Sequence, residues 1–379
     1  MPRAHAVTKY RIQVTAAIVL GSAPGFCWAG NGTIDIGYGP ESVGMGGADI
    51  AVASEVFALN INPAGLTQIS NRRFDLELEP FFYVGNKHVD DYGNNHRVDN
   101  PVGVIASGGY AWRFADSRLV LGVGTFVQGG VGFIYKDLHT AFATQDDLQS
   151  ILGSFKLEPG FGWQATDHLS VGAAVGLTYS SARQKFFSDT SFSAPNPEKS
   201  FFGFRTDQLS GWAPNFKLGF QYRFARDWVL GAAYTSRTDI KLEGGTATFN
   251  YDAIGQGRVK YRQASQTGLH IPQQSGLGLS YRPNARWLLG VDFDWLDWSD
   301  AMNATTLIAT HPDNPDVPQH LELDSALDWR DQYVVAVGAA FEWSPTTTLR
   351  FGYNQARNPI PSHATNPLLA VIAEDSITA

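Results

Sequence analysis

Val171-Gly172-Ala173-Ala174-Val175-Gly176-Leu177-Thr178-Tyr179-Ser180 is the stretch that decides the fold. In an extended chain successive side chains point to opposite faces. Val171, Ala173, Val175, Leu177 and Tyr179 therefore share one face, and Gly172, Ala174, Gly176, Thr178 and Ser180 the other. One face is apolar and ends in an aromatic ring; the other is small or polar. The pattern recurs. Phe216, Leu218, Phe220, Tyr222 and Phe224 oppose Lys217, Gly219, Gln221 and Arg223. Trp287, Leu289, Val291, Phe293 and Trp295 oppose Arg286, Gly290, Asp292 and Asp294, and Tyr333 to Trp343 repeats the alternation. A soluble sandwich also alternates, with its apolar faces packed together. These segments instead have the length of a tilted membrane strand, roughly 9–11 residues, with aromatics where the bilayer interfaces lie. The expected fold is all-β, a transmembrane antiparallel β-barrel.

The connections carry a second regularity. Very short turns fall near Ala115-Asp116-Ser117, Thr166-Asp167-His168, Ala225-Arg226-Asp227, Pro283-Asn284-Ala285 and Ser344-Pro345-Thr346. Between them lie long connections, near 85–100, 136–152, 184–208, 241–272, 299–328 and 358–373. Outer-membrane barrels alternate in this way, with short turns periplasmic and long loops outside. The count gives about eleven complete strands, with a twelfth starting near Glu374. A barrel must close in lipid, because open edges leave backbone groups unsatisfied. The expectation is thus a barrel over 72–379 that is incomplete at its C-terminus, where the usual terminal aromatic residue is also missing.

The N-terminus reads as an export signal. Arg3, Lys9 and Arg11 precede any acidic residue, Val14 to Ala23 is a short apolar run, and Cys27-Trp28-Ala29 offers a cleavage site after Ala29. The run is too short for a spanning helix, and bulky Phe26 argues against a lipid-modified Cys27. Residues 1–29 are therefore expected to be a signal peptide. Removing its three basic residues from 28 leaves 25 Lys+Arg against 36 Asp+Glu, a net charge of −11. The one cysteine goes with it, leaving no disulfide or thiol chemistry. A net acidic chain without basic runs is a poor nucleic-acid partner.

Residues 30–71 do not read as a strand. They run through Gly44-Met45-Gly46-Gly47-Ala48, Ala51-Val52-Ala53-Ser54 and Asn62-Pro63-Ala64-Gly65-Leu66. Small residues let a backbone pass close to a wall, so this segment is expected to sit in the lumen as a plug. No strand precedes the glycines and no βαβ unit follows, which excludes a dinucleotide loop. These motifs resemble the N-terminal hatch of the FadL/TodX family of outer-membrane long-chain fatty acid and aromatic hydrocarbon transporters. Gly276-Leu277-Gly278-Leu279-Ser280-Tyr281, Asp297-Trp298-Ser299, Asp331-Gln332-Tyr333 and Leu349-Arg350-Phe351-Gly352-Tyr353 carry the resemblance through the rest of the chain.

The resemblance implies fourteen strands, and so a chain lacking most of strand twelve and the last two. It implies a monomeric channel in the Gram-negative outer membrane, inserted by the barrel assembly machinery, that takes up hydrophobic ligands without a cofactor. It also implies capture between outer loops, binding in the lumen, and hatch movement that opens a side exit through a kinked third strand. Gly44, Gly46, Gly47, Asn62, Pro63 and Ala64 are then the hatch and gating candidates, and Gly129, Gly130 and Gly132 the kink candidates. For capture, Leu138, Phe142 and Leu148 lie on a loop whose spacing suits an amphipathic helix; Phe186, Phe187, Phe201 and Phe202 crowd the next. Such apolar clusters mark an interaction site or pack loops together. Arg183, which loosely matches a basic position of that family, with Lys217 and Arg223 on the predicted lumen face, are candidates for holding a ligand carboxylate, or for pairing with lumen acids.

The leading function is passive uptake of long-chain fatty acids; aromatic hydrocarbon uptake is the alternative. A barrel lipase is the reading from another class, but nine scattered His residues and no Gly-x-Ser-x-Gly elbow leave it without a nucleophile and base. The expected plug disfavours an open porin. Asp292, Asp294, Asp297 and Asp300 lack the further ligands of a metal site, and the His311, Asp313, Asp316 loop is a weak calcium pattern, so no metal is expected.

Overall fold

The computed structural model describes residues 31–83, 86–115, 117–361 and 375–378. The expected signal peptide lies outside these residues, as do Asp116 of the first short turn and most of the connection near 358–373. Two short helices, α1 (Gly39–Gly44) and α2 (Ala58–Ile61), and a 3-10 turn, Pro63–Gln68, precede the strands. The strands begin with β1 (Arg72–Phe82), β2 (Lys87–Val89), β3 (Asn95–Arg97), β4 (Val102–Arg113), β5 (Leu119–His139) and β6 (Gln145–Gln164). Next come β7 (Leu169–Phe192), β8 (Phe201–Ala225), β9 (Trp228–Thr235), β10 (Leu242–Asn250), β11 (Arg258–Thr267) and β12 (Gln274–Asn284). The last six are β13 (Trp287–Leu296), β14 (Ala304–Pro312), β15 (His320–Ala326), β16 (Gln332–Ser344), β17 (Thr347–Ala356) and β18 (Asp375–Thr378).

One antiparallel sheet follows the path β1-β4-β5-β6-β7-β8-β9-β12-β13-β16-β17-β18. Among the described residues this path holds eleven strands of eight residues or more and a four-residue twelfth, which pairs β17 from Gln355↔Asp375. The large connections build outward from this path: β10 continues the sheet beside β8, and β11, β14 and β15 follow it in turn. A separate β2–β3 hairpin sits in the first long connection. Among the described residues no helix is long and apolar enough to cross a membrane; the strands do the crossing.

The two faces sort as the alternation predicts. Phe74, Leu76 and Leu78 on β1, Val175 and Leu177 on β7, Phe216 and Leu218 on β8, and Val291 and Phe293 on β13 are all exposed. So large an apolar surface is untenable in water and suits hydrocarbon. Phe155, Tyr179 and Trp212 meet on this outer face with ring centroids 5.0–6.3 Å apart, as part of an interface girdle.

The N-terminal segment reaches each of the first eleven strands of this path. Gly39 N donates to Glu77 of β1, Val56 approaches Gly109 of β4, and Leu59 approaches Gly122 of β5. Leu66 meets Gly162 of β6, Pro63 meets Gly172 of β7 and Gly219 of β8, and Ile50 meets Gly231 of β9. Ala51 touches β12 at Gly278, Asp49 N donates to Asp292 of β13, and Met45 covers Gly338 of β16. Asn354 on β17 donates to Gly46 O at 3.0 Å. A segment of some forty residues meets strands so far apart only if the sheet curls around it.

Two expectations fail here. The 136–152 connection is no amphipathic helix: β5 runs to His139, β6 restarts at Gln145, and only a tight turn separates them. An isolated helix of that length is marginal in water, whereas extending both strands adds ladder bonds such as Leu138↔Asp146 and Tyr135↔Leu148. The 184–208 connection is likewise mostly strand, with Phe186↔Phe204 and Phe192↔Phe201 in register.

Candidate transport path

The inner segment is fastened to the wall by polar side chains. Asn62 is fully buried: its Nδ2 donates to Ile50 O (2.8 Å) within the segment and to Phe220 O (2.9 Å) on β8. Its Oδ1 accepts from Ala64 N at 3.2 Å and caps the 3-10 turn that Pro63 starts. On the far side Asp292 accepts from Asp49 N (2.6 Å) and Ile50 N (2.7 Å), and Arg350 pairs with Glu41 at 2.7 Å. Asp75 accepts from Val56 N at 2.9 Å, and Arg73 bridges Asp75 and Glu55. Gly46 and Gly47 adopt left-handed backbone, φ 67° and 80°, in a turn whose Cβ positions would strike Tyr353 N and Ile36 O. Gly44 instead packs under the Arg350 side chain. Burial pushes the Asp49 carboxyl up to about 7, though the Ser42 hydroxyl donates to it. Burial and then nearby Glu41 push Glu55 up to about 8, against the pull of Arg73.

The wall is open beside the third strand of the path. β1 and β4 pair along their whole length, Arg72↔Trp112 to Phe82↔Val102. β4 and β5 pair only from Arg113↔Val120 to Gly108↔Thr125. Above that, β5 carries one extra residue between Val127 and Gly130 relative to β6, a bulge. Gly129 sits in it at φ 92°, where a side chain is strained, and its Cβ would lie 1.9 Å from Thr33 O. Gly130 N donates to the same oxygen at 2.9 Å. The start of the inner segment thus seals the bulge from inside. Ser107 Oγ accepts from Val127 N at 3.2 Å, and Asn100 donates to Gly132 O at 2.9 Å, marking the two ends of the unpaired stretch.

Above the segment the lumen is lined by charge, then by rings. Lys156 donates to Glu158 at 2.7 Å with both side chains at 0% exposure. Lys217, also buried, donates weakly to Ile61 O at 3.4 Å within the fields of Glu158, Asp49 and Asp294. Higher still, Leu209, Leu242, Phe249, Tyr261, Trp298 and Trp329 belong to one apolar cluster. At the outer end Phe142 stacks between Phe192 (5.1 Å) and Phe201 (5.0 Å). Phe186 and Phe187 pack with Leu138 and Leu148, which are fully buried, while Phe202 lies against Tyr251 at 4.8 Å.

The family model for outer membrane protein transport proteins (OMPP1/FadL/TodX) matches residues 41–370. The chain belongs to this family. Among solved structures, the FadL/TodX chain here is similar to the Ralstonia pickettii toluene transporter TbuX, with 23% identity, coverage of 85% of this chain and 87% of that one, and a TM-score of 0.70. It is similar to the Pseudomonas putida toluene transporter TodX at 21% identity, 90% and 87% coverage and a TM-score of 0.71. A Pseudomonas aeruginosa FadL homologue gives 16% identity, 91% and 85% coverage and a TM-score of 0.70. At these identities the likeness shows the fold. No curated protein sequence matches the chain. Members of the FadL/TodX family are outer-membrane transport channels and not enzymes, so the lipase alternative is set aside.

Within this FadL/TodX barrel one of the three cation candidates leaves the lumen. Arg183 faces outward with its side chain 60% exposed, 3.6 Å from Asp207, because Ala182 and Gln184 on either side take the inner positions in the unbroken alternation of β7. Arg223 keeps the inner face but stands at the short-turn mouth, where it is exposed and lines a polar cavity with Gln68 of the inner segment, Gln221 and Arg282. Lys217 lies deeper on the same face, buried in the lumen. Lys156 and Glu158 were missed, although Lys156-Leu157-Glu158 shows the signal: two charges two apart share the inner face of a strand whose outer face carries Phe155 and Leu157. Asp292 and Asp294 share a face as read, and no metal-binding cluster occurs among the described residues.

Proposed function

We propose that this chain passes uncharged hydrophobic molecules from the outer face into the membrane, by capture at the outer rings, passage through the lumen and exit between β4 and β5. The observation that carries the reading is the wall opening itself. β4 and β5 part at a bulge that Thr33 of the inner segment occupies. A hydrophobic molecule gains nothing by entering the aqueous periplasm, whereas a gap in the wall delivers it to hydrocarbon. The segment that plugs the lumen also seals the gap, so one movement of it opens both. Asn62, Pro63 and Ala64 anchor the far end of that segment and act as its hinge, and Gly44, Gly46 and Gly47 hold its turn.

Lumen charge favours the aromatic hydrocarbon alternative over a fatty acid carboxylate. Both buried lumen ammonium groups, Lys156 and Lys217, already have acidic neighbours in Glu158, Asp49 and Asp294. β1 turns Glu77 and Glu79 to the same interior. A ligand carboxylate would enter a region where carboxyl groups outnumber cations, and it would have to displace a buried partner to bind. A neutral ring needs only apolar contact. The test is uptake of labelled toluene and labelled oleate by transport-deficient cells that carry the chain. Toluene entry well above oleate entry is expected; oleate alone entering would return the assignment to fatty acids.

A further inference from the structure

Beyond transport, we infer that the outer face of the sheet above the aromatic girdle binds the phosphate groups of lipopolysaccharide. The residues form a cross-strand row. Lys185 of β7 stands opposite Arg205 of β8, Arg205 opposite Thr248 of β10, and Thr248 opposite Lys260 of β11. Alternate residues of these strands, Phe204, Phe249 and Tyr261, turn into the buried apolar cluster, so the row faces outward. Arg183 and Arg262 flank it, and Arg183, Arg205, Lys260 and Arg262 are all exposed.

Their charge is largely uncommitted. Arg183 and Arg205 share one carboxylate, Asp207, at 3.6 and 3.7 Å, beyond direct hydrogen-bond distance. Lys260 and Arg262 have no ion-pair partner among the described residues, although Asp313 accepts from the Lys260 backbone N. Lys185 is held by Asp147 and Asp189, and Arg258 by Asp189. Four exposed cations beside two carboxylates, Asp207 and Asp313, stand out in a chain of formal net charge −8.

Height selects the partner. Tyr179 and Trp212 pair within the outer girdle, and Lys185 and Arg205 pair six and seven residues further along the same strands. At about 3.3 Å per residue along a strand tilted about 40°, the row stands roughly 15 Å above the girdle. In the outer leaflet that level holds the phosphorylated sugars of lipopolysaccharide, beyond the reach of a glycerophospholipid headgroup. Guanidinium groups match phosphate geometry, and basic clusters beside spanning segments bind anionic lipid heads.

The purified full chain in neutral detergent is titrated with rough lipopolysaccharide that keeps its phosphorylated inner core, with the same lipid after phosphatase treatment, and with phosphatidylglycerol, and complexes are counted by native mass spectrometry. The expectation is preferential retention of the phosphorylated lipopolysaccharide, with affinity at least about tenfold weaker in the R183Q/R205Q/K260Q/R262Q variant. Equal retention of the dephosphorylated lipid or of phosphatidylglycerol by the native chain, or unchanged affinity in a folded variant, overturns the inference. The lipid comparison needs no variant, so it decides the matter even if four substitutions impair folding.

Discussion

Asn62 concentrates the argument at the residue scale. Its amide joins two backbone carbonyls, one in the inner segment and one on β8. Replacing it with Ala removes both of these bonds and the cap on Ala64 N, and loosens the segment by about 2 kcal/mol. Amide exchange across residues 58–68 should then quicken more than tenfold while exchange in β8 stays slow; equal change in both would mean the residue merely supports the barrel. Glu158→Gln tests the charge reading. It breaks a fully buried pair, which costs about 3 kcal/mol, and frees Lys156 to receive a carboxylate. Oleate affinity of the purified chain should rise while toluene affinity holds; no gain for oleate would remove the electrostatic basis for preferring neutral ligands. The Asn-Pro-Ala motif was legible because its local chemistry is its role: Asn62 caps the turn that Pro63 starts. Arg183 was placed by its likeness to a family position, whereas the alternation that puts Thr178 and Ser180 inward continues through Ala182 and Gln184 and already turns it outward; the extra residue at this point lies on β8.

At the scale of elements, alternation placed the strands but not their ends. Inside the bilayer each strand shows apolar-out and small-or-polar-in, and those stretches were read correctly from Val171 to Ser180 onward. Above the bilayer the rule inverts. Leu138, Leu148 and Leu209 turn inward to an apolar interior, so β5, β6 and β8 lose their membrane signature while remaining strands. Spacing alone then allows a helix over 136–152 that the ladder forbids. The three-ring stack at the tip belongs to these extensions. If it captures ligand, Phe142→Ala should slow toluene uptake several-fold at low ligand concentration and leave the saturated rate unchanged; an equal fall at both would make the stack structural.

For the whole molecule, the governing relation is between one curved sheet and the segment it surrounds. Glycines on the inner face of β7, β8, β9, β12, β13 and β16 let that segment approach the wall. At Gly172 an added Cβ would lie 2.4 Å from the Pro63 backbone, so Gly172→Val should displace the segment without touching the lipid-facing side. Planar-bilayer recordings should show steady ion conductance in the variant and little in the native chain, and a silent variant would show that the lumen closes by other means. The general architecture was legible from period-two patterning and loop lengths. The gap between β4 and β5 was visible only as a run of glycines, because its cause is a pairing that stops.

The central claim is exit through that gap, and deletion of Gly129 tests it most directly. The bulge contains one extra residue, so deletion restores the β5–β6 register and straightens β5 against β4. Labelled toluene uptake should fall to the level of cells without the channel while the variant still inserts as a folded barrel. Uptake at the native rate from a straightened β5 would contradict lateral exit and send the ligand through the lumen to the periplasm instead.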